Sequence, residues 1–177
     1  MKKRLLVLLA MIACVGVGLF STTTGLDAAS LKTLPSLSLK TLSEQEVRLT
    51  DDRFKDKIIV VAAFTTWNDV SRRQARALEV FHKENPNVEI VALVVDEIAA
   101  ARDFVAQEGL TYPCYKSSDG PRVGTNLMRL FEAKKNKQVI VNRVPFVIIA
   151  DKERRVVYAQ FGVTSETTIK EKIAAIK

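Results

Sequence analysis

Sulfur and imidazole are scarce in this chain. Of its 177 residues two are cysteines and one is histidine. Cys14 lies in an apolar N-terminal run, so a mature domain keeps Cys114 alone. A single thiol cannot close an internal disulfide, and one His with one Cys cannot supply the ligand set typical of zinc. No metal or cofactor is therefore expected. The chain also lacks a concentrated basic stripe with interleaved aromatics, which argues against nucleic-acid binding despite a net charge of +7. There is no internal repeat and no low-complexity tract, and the longest apolar run falls short of the ~20 residues that cross a bilayer.

That run is Leu5–Phe20, preceded by Lys2, Lys3 and Arg4 and followed by small polar residues. The pattern is that of an export signal. Residues 1–28 are read as a cleaved signal peptide ending at Leu26-Asp27-Ala28, with retention of residues 5–20 as a membrane anchor as the second option. Lipidation at Cys14, through the loose lipobox Met11-Ile12-Ala13-Cys14, is the third. All three place the domain outside the cytoplasm, in the periplasm or on the extracytoplasmic face of the membrane. Without residues 1–28, Lys+Arg falls from 27 to 24 and Asp+Glu from 20 to 19, so the net charge drops from +7 to +5. A mildly basic domain of that kind is attracted only weakly to anionic surfaces.

Residues 29–35 read as a linker and 36–177 as one α/β domain. Leu37, Leu39, Val47 and Leu49 alternate around Ser43-Glu44-Gln45, a hairpin pattern, and Thr50-Asp51-Asp52 opens a short turn ending near Phe54. Lys57 leads Ile58–Val61, apolar on both faces and therefore a central strand covered by helices on both sides. Asn68, Asp69 and Ser71 follow, all residue types that cap helices. A helix is expected over Asp69–Glu84, with Val70, Ala77, Leu78 and Phe81 inward and Arg72, Arg73, Arg76 and Glu79 outward. A second apolar strand, Val88–Val95, leads through Asp96 into a helix that Gly109 ends. Tyr112–Tyr115 reads as a short strand, Ser117–Pro121 as a turn, and Leu127, Leu130 and Phe131 as a short helix. After a basic insert at Ala133–Gln138 and the apolar Val139–Val141, a hairpin of Val144–Ala150 and Val156–Phe161 precedes a helix capped by Thr164 or Ser165.

This order, hairpin, βαβ, strand and helix, ββα, together with its motifs, resembles the thioredoxin-like superfamily. Within it the chain is most similar to the exported TlpA/ResA-type thiol-disulfide proteins and the related redoxin (AhpC/TSA) group. Lys57, Phe64, Thr66, Trp67 and Arg72 match the family pattern, Tyr112-Pro113 its Tyr-Pro strand, and Val144-Pro145 its cis-proline loop. The resemblance implies a thioredoxin fold, a central mixed sheet flanked by helices, with an N-terminal hairpin extension. It implies a groove for an extended protein or peptide at Trp67, Asn68, Ser71, Val144 and Pro145, which the Lys134–Lys137 insert would overhang. The family's Cys-x-x-Cys becomes Asn68-x-x-Ser71, and its acidic residue three positions further on becomes Gln74.

Those replacements remove the family's chemistry. Disulfide exchange needs an attacking thiolate, which neither an amide nor a hydroxyl without an adjacent base replaces. His82 lies eleven residues past Ser71, ~16 Å along the helix, too far to serve as that base. Thr65-x-x-Asn68 has the spacing of a peroxidatic motif without its sulfur. The expectation is an exported, redox-inactive binding or chaperone-like protein. The alternative is a thiol-disulfide or peroxiredoxin-like enzyme acting through Cys114. Asp96 and Glu97, at the C-terminal end of a strand, have the types of a carboxylate pair. Plainer readings stand beside all of these: Asn68 and Ser71 as simple caps, Cys114 as a small core residue, Asp96 as a helix cap, and His82 as a solvated helix residue.

Overall fold

The structure, a computed structural model, describes residues 33–117 and 144–176. The export segment with Cys14, the Leu127–Phe131 helix, the basic insert with Lys134–Lys137 and Val139–Val141 lie outside the described residues.

Seven strands form one mixed sheet: β1 (Ser38–Thr41), β2 (Glu46–Arg48), β3 (Ile59–Phe64), β4 (Glu89–Val94), β5 (Cys114–Ser117), β6 (Phe146–Ala150) and β7 (Val156–Phe161), in the order β2-β1-β5-β4-β3-β6-β7. β3, β4 and β5 run parallel, and the other pairings are antiparallel. The alternation at Leu37–Leu49 does produce a hairpin, with Leu39 opposite Val47. Glu44 turns it at φ 69°.

β3 is central and buried along its whole length. Its side chains alternate between two cores, as the pleat requires. Val60, Ala62 and Phe64 meet α1 (Asp69–Glu84), α2 (Ile98–Glu108) and α3 (Glu166–Ala174) through Leu78, Phe81, Phe104 and Ile169. Ile59, Val61 and Ala63 face the opposite side. Helices on both sides of β3 were expected. Among the described residues all three α-helices lie on one side, and the other is closed by Leu34, Leu37, Leu49 and Phe54, the last from a single 3-10 turn.

The expected helix boundaries hold for α1, and Gly109, at φ 62°, ends α2 with its N–H on Ala106 and Val105. A left-handed position of that kind favours glycine. Ser165, not Thr164, caps α3, its Oγ accepting the Thr168 N–H at 3.1 Å.

Three expectations need correction. The short strand begins at Cys114 rather than Tyr112. Pro113 has no N–H to give a ladder, and the Tyr112 side chain instead turns into the helical layer, where its hydroxyl donates to the Ala75 carbonyl at 3.1 Å. The inward face of α1 is rotated from the expected one: Ser71, Gln74, Ala75, Leu78, Glu79 and Phe81 are buried, whereas Val70 and Ala77 are only half-buried. Glu79 sits inward because its carboxylate accepts both the N–H and the hydroxyl of Thr111, each at 2.7 Å. His82 is half-buried rather than solvated, its ring set edge-on to Tyr112 at 6.1 Å.

Candidate functional site

The ladder between β3 and β4 ends where the Val95 N–H donates to the Phe64 carbonyl at 3.1 Å. Past that point the backbone of Thr65, Thr66 and Trp67 has no strand partner, and each buried polar group needs one from elsewhere. Side chains supply them. Ser71 Oγ accepts the Thr65 N–H at 3.2 Å. Asp96 Oδ2 accepts the Thr66 N–H at 2.6 Å, and Arg72 Nη2 donates to the Thr66 carbonyl at 3.1 Å. Asn68 is the N-cap of α1, its Oδ1 accepting the Val70 N–H at 2.8 Å.

Two expectations change here. Ser71 is not a cap: it is fully buried within the first turn and reaches back to the loop before the helix. Asp96 is not a cap either, since Glu97 occupies that position in front of α2 without a side-chain bond, and Asp96 is turned to Thr66.

Gln74 serves a second loop. Fully buried, it accepts the Thr164 N–H at 2.7 Å and donates to the Thr164 carbonyl at 3.3 Å. A primary amide carries both a donor and an acceptor, so one side chain satisfies both backbone groups.

These bonds bring the predicted groove residues to one end of the sheet. Phe146 pairs with Ala63 and with Phe161, which puts the loops at 144–145 and 162–163 beside the end of β3. The Val144-Pro145 bond is cis, and the Pro145 carbonyl accepts the Gly162 N–H at 2.8 Å. Within this set Trp67 is 72% exposed. Asn68 and Val144 are half-buried, and Ser71 and Pro145 are buried beneath the surface. Val95 and Val163 share the same sheet end and are exposed at 46% and 38%. Three of the four large exposed apolar side chains among the described residues therefore gather there, the fourth being Val80.

Cys114 is not part of this cluster. It lies on β5, two strands from β3, buried in the helical-side core with its Sγ 3.8 Å from the Tyr112 carbonyl. Burial first, and the Glu79 charge second, push its thiol up to about 12. Among the described residues no cluster of His, Cys, Asp or Glu has the makings of a metal site.

Behind the loop, Glu108 holds both Arg72 at 2.7 Å and Arg76 at 2.6 Å, with its own side chain only 3% exposed. The hydrogen bond from Arg76, aided by Arg72, outweighs burial and keeps the Glu108 carboxyl below the usual range. For Glu79 burial opposes ionisation, but Thr111 and Lys83 together prevail in the same direction. A carboxyl whose folded pKa is depressed contributes stability that is complete above its unfolded value, about 4.3, and lost as pH falls through the folded value. The urea midpoint is thus expected to fall as pH drops below about 4.3. Glu108→Gln is expected to lower the midpoint at neutral pH and flatten that acid limb, which denaturation at a series of pH values measures.

A Redoxin family model matches residues 29–175, most of the sequence. The chain belongs to the Redoxin family. No curated protein matches this redoxin in sequence. Among solved structures it is similar to a DsbF homologue from Corynebacterium diphtheriae, at 20% identity and TM-score 0.67, over 86% of this chain and 91% of that one. It is similar to a secreted thiol-disulfide isomerase from Corynebacterium glutamicum, at 20% identity and TM-score 0.65, over 83% and 86%. StoA from Bacillus subtilis is matched at 14% identity and TM-score 0.59, over 78% and 96%. These likenesses show the thioredoxin fold, with the hairpin β1-β2 as its N-terminal extension. In this redoxin Asn68 and Ser71 both carry side chains bonded to backbone. Sequence patterning had singled out Asn68, Ser71 and Trp67. It missed the pairing of Asp96 and Arg72 on Thr66, whose one visible signal was a carboxylate at the C-terminal end of a parallel strand.

Proposed function

We propose that this redoxin is an exported binding protein that holds an extended protein or peptide segment at the sheet end formed by Trp67, Asn68, Val144, Val95 and Val163, without transferring electrons. One observation carries the reading. Asn68 and Ser71, at the two thiol positions, are spent as acceptors for the backbone of the site, while Trp67 beside them remains 72% exposed. A loop kept in order beneath an exposed indole suits contact with a partner, because aromatic anchors give large buried area at small entropic cost. Export is supported by the basic and apolar pattern of residues 2–20 and by two similar structures described as secreted, from Mycobacterium tuberculosis and Corynebacterium glutamicum. The enzymatic alternative through Cys114 has no support in the geometry, since a buried thiol pushed up to about 12 is protonated at neutral pH and the thiolate is the nucleophile.

Trp67 is the only tryptophan of the chain, so its emission reports on this surface alone. Titration with carboxymethylated insulin B chain, an extended peptide with its thiols blocked, is expected to shift that emission saturably. Calorimetry is expected to give a matching isotherm that Trp67→Ala weakens. An unchanged spectrum together with no measurable heat up to millimolar peptide contradicts the reading.

A further inference from the structure

Thr66 is the one residue of the site loop whose N–H and C=O are both captured by side chains, and the two side chains come from different parts of the fold. Asp96, just beyond β4, takes the N–H at 2.6 Å; Arg72, in the first turn of α1, holds the carbonyl at 3.1 Å. Arg72 is itself anchored, by Glu108 at 2.7 Å and over the Phe104 ring at 5.5 Å, so the α2 side of the helical layer braces it. The N–H of Thr66 lies two residues beyond Phe64, the last residue of the β3–β4 ladder, and without the carboxylate no strand supplies its acceptor. Hydrogen bonds to charged partners are the stronger class. Directly after this doubly held peptide comes Trp67, whose side chain stands in solvent with no aromatic or cation partner among the described contacts.

We propose that Asp96 and Arg72 are positioning residues: together they fix the Thr66 backbone and so hold Trp67 as a preset platform for the bound chain. The inference deepens the binding role above and rests on it for its purpose, but not for its mechanics. Fixing the loop before binding removes an ordering cost that a free loop would meet on each encounter. Asp96 touches no ligand in this account; it acts through Thr66.

The test uses the full chain with Asp96→Ala, Asp96→Asn and Arg72→Lys. Time-resolved anisotropy and acrylamide quenching follow Trp67, far-UV circular dichroism follows the fold, and carboxymethylated insulin B chain is the binding probe. Asp96→Ala is expected to enlarge the fast, local component of the Trp67 decay at least about twofold, with an unchanged dichroism spectrum, and to weaken peptide binding by about tenfold. Asp96→Asn keeps an oxygen acceptor for the Thr66 N–H and is expected to restore most of both. Arg72→Lys, which loses the planar fork that serves Thr66 and Glu108 together, is expected to loosen Trp67 in the same sense. Trp67 motion equal to wild type in both Asp96→Ala and Arg72→Lys overturns the proposal. Anisotropy alone decides the positioning claim. A wild-type chain with a rigid Trp67, loosened by Asp96→Ala, that fails to bind the peptide keeps the positioning claim and counts against the binding role.

Discussion

Asn68→Cys combined with Ser71→Cys is expected to give this redoxin measurable disulfide-reductase activity. The helix start that would act on the new sulfur is already built. Asn68 Oδ1 occupies the acceptor position over the first turn, 2.8 Å from the Val70 N–H, and a thiolate there meets the same N–H groups and the same end of the helix dipole. The thiol is expected to ionise clearly below the ordinary ~8.5. Side chains three apart on a helix start from Cβ atoms about 5–6 Å apart, and a disulfide needs about 3.5–4.5 Å, so closure requires residue 68 to move inward by about 1–2 Å. The extended Asn68 backbone, at φ −106° and ψ 123°, leaves room for closure. Losing the cap costs about 1 kcal/mol and losing the Ser71 acceptor about 1–3 kcal/mol, within what a domain of ordinary stability withstands. Insulin reduction by the double variant should exceed the wild-type background at least about tenfold, a difference of 1.4 kcal/mol or more in barrier. An ordinary alkylation pKa at residue 68 would show that the helix start no longer stabilises an anion.

Gln74→Glu is the second large effect, and it works through stability. The amide both accepts from and donates to the Thr164 backbone inside the protein. A carboxylate has only acceptors, so the introduced group would face the Thr164 carbonyl with nothing to give, and with its charge buried. The expected loss at neutral pH is about 2–4 kcal/mol relative to wild type. Burial raises the folded pKa of the introduced carboxyl above the unfolded ~4.3, so the ionisation part of the loss is absent below that value and grows as pH rises toward the folded one. Urea midpoints of variant and wild type, compared at about pH 4 and pH 7.5, should therefore diverge more at the higher pH. Equal differences at both would mean that ionising the introduced carboxyl costs nothing inside the fold. The same residue bears on function: an acidic side chain fits poorly into a position that this redoxin uses to tie α1 to the loop beside Val163.

The legible part of this fold is the part written in local apolar pattern. Ile59–Phe64 and Glu89–Val94 announced themselves as buried strands because both faces are apolar, and α1 ends where Asn85 and Pro86 interrupt its periodicity. What stayed hidden are polar side chains whose partners lie far along the chain. Gln74 meets Thr164 ninety positions later, Glu79 meets Thr111, and Glu108 meets Arg72 and Arg76. Periodicity assigns such residues to a solvated face, as it did for Glu79, since nothing local shows that a backbone amide will arrive to be satisfied. The site divides in the same way. Trp67, Asn68 and Ser71 follow from motif and spacing, whereas the hold of Asp96 on Thr66 depends on β4 lying beside β3 and is visible only in the assembled sheet.

The central proposal is that this redoxin holds a chain without moving electrons. Dithiothreitol-driven insulin reduction, run on the wild-type protein beside Cys114→Ser and buffer, tests it most directly. The three traces are expected to coincide at the uncatalysed rate. Turnover by the wild type that Cys114→Ser abolishes would contradict the account, because it would require a thiol buried in the helical-side core to act as the nucleophile.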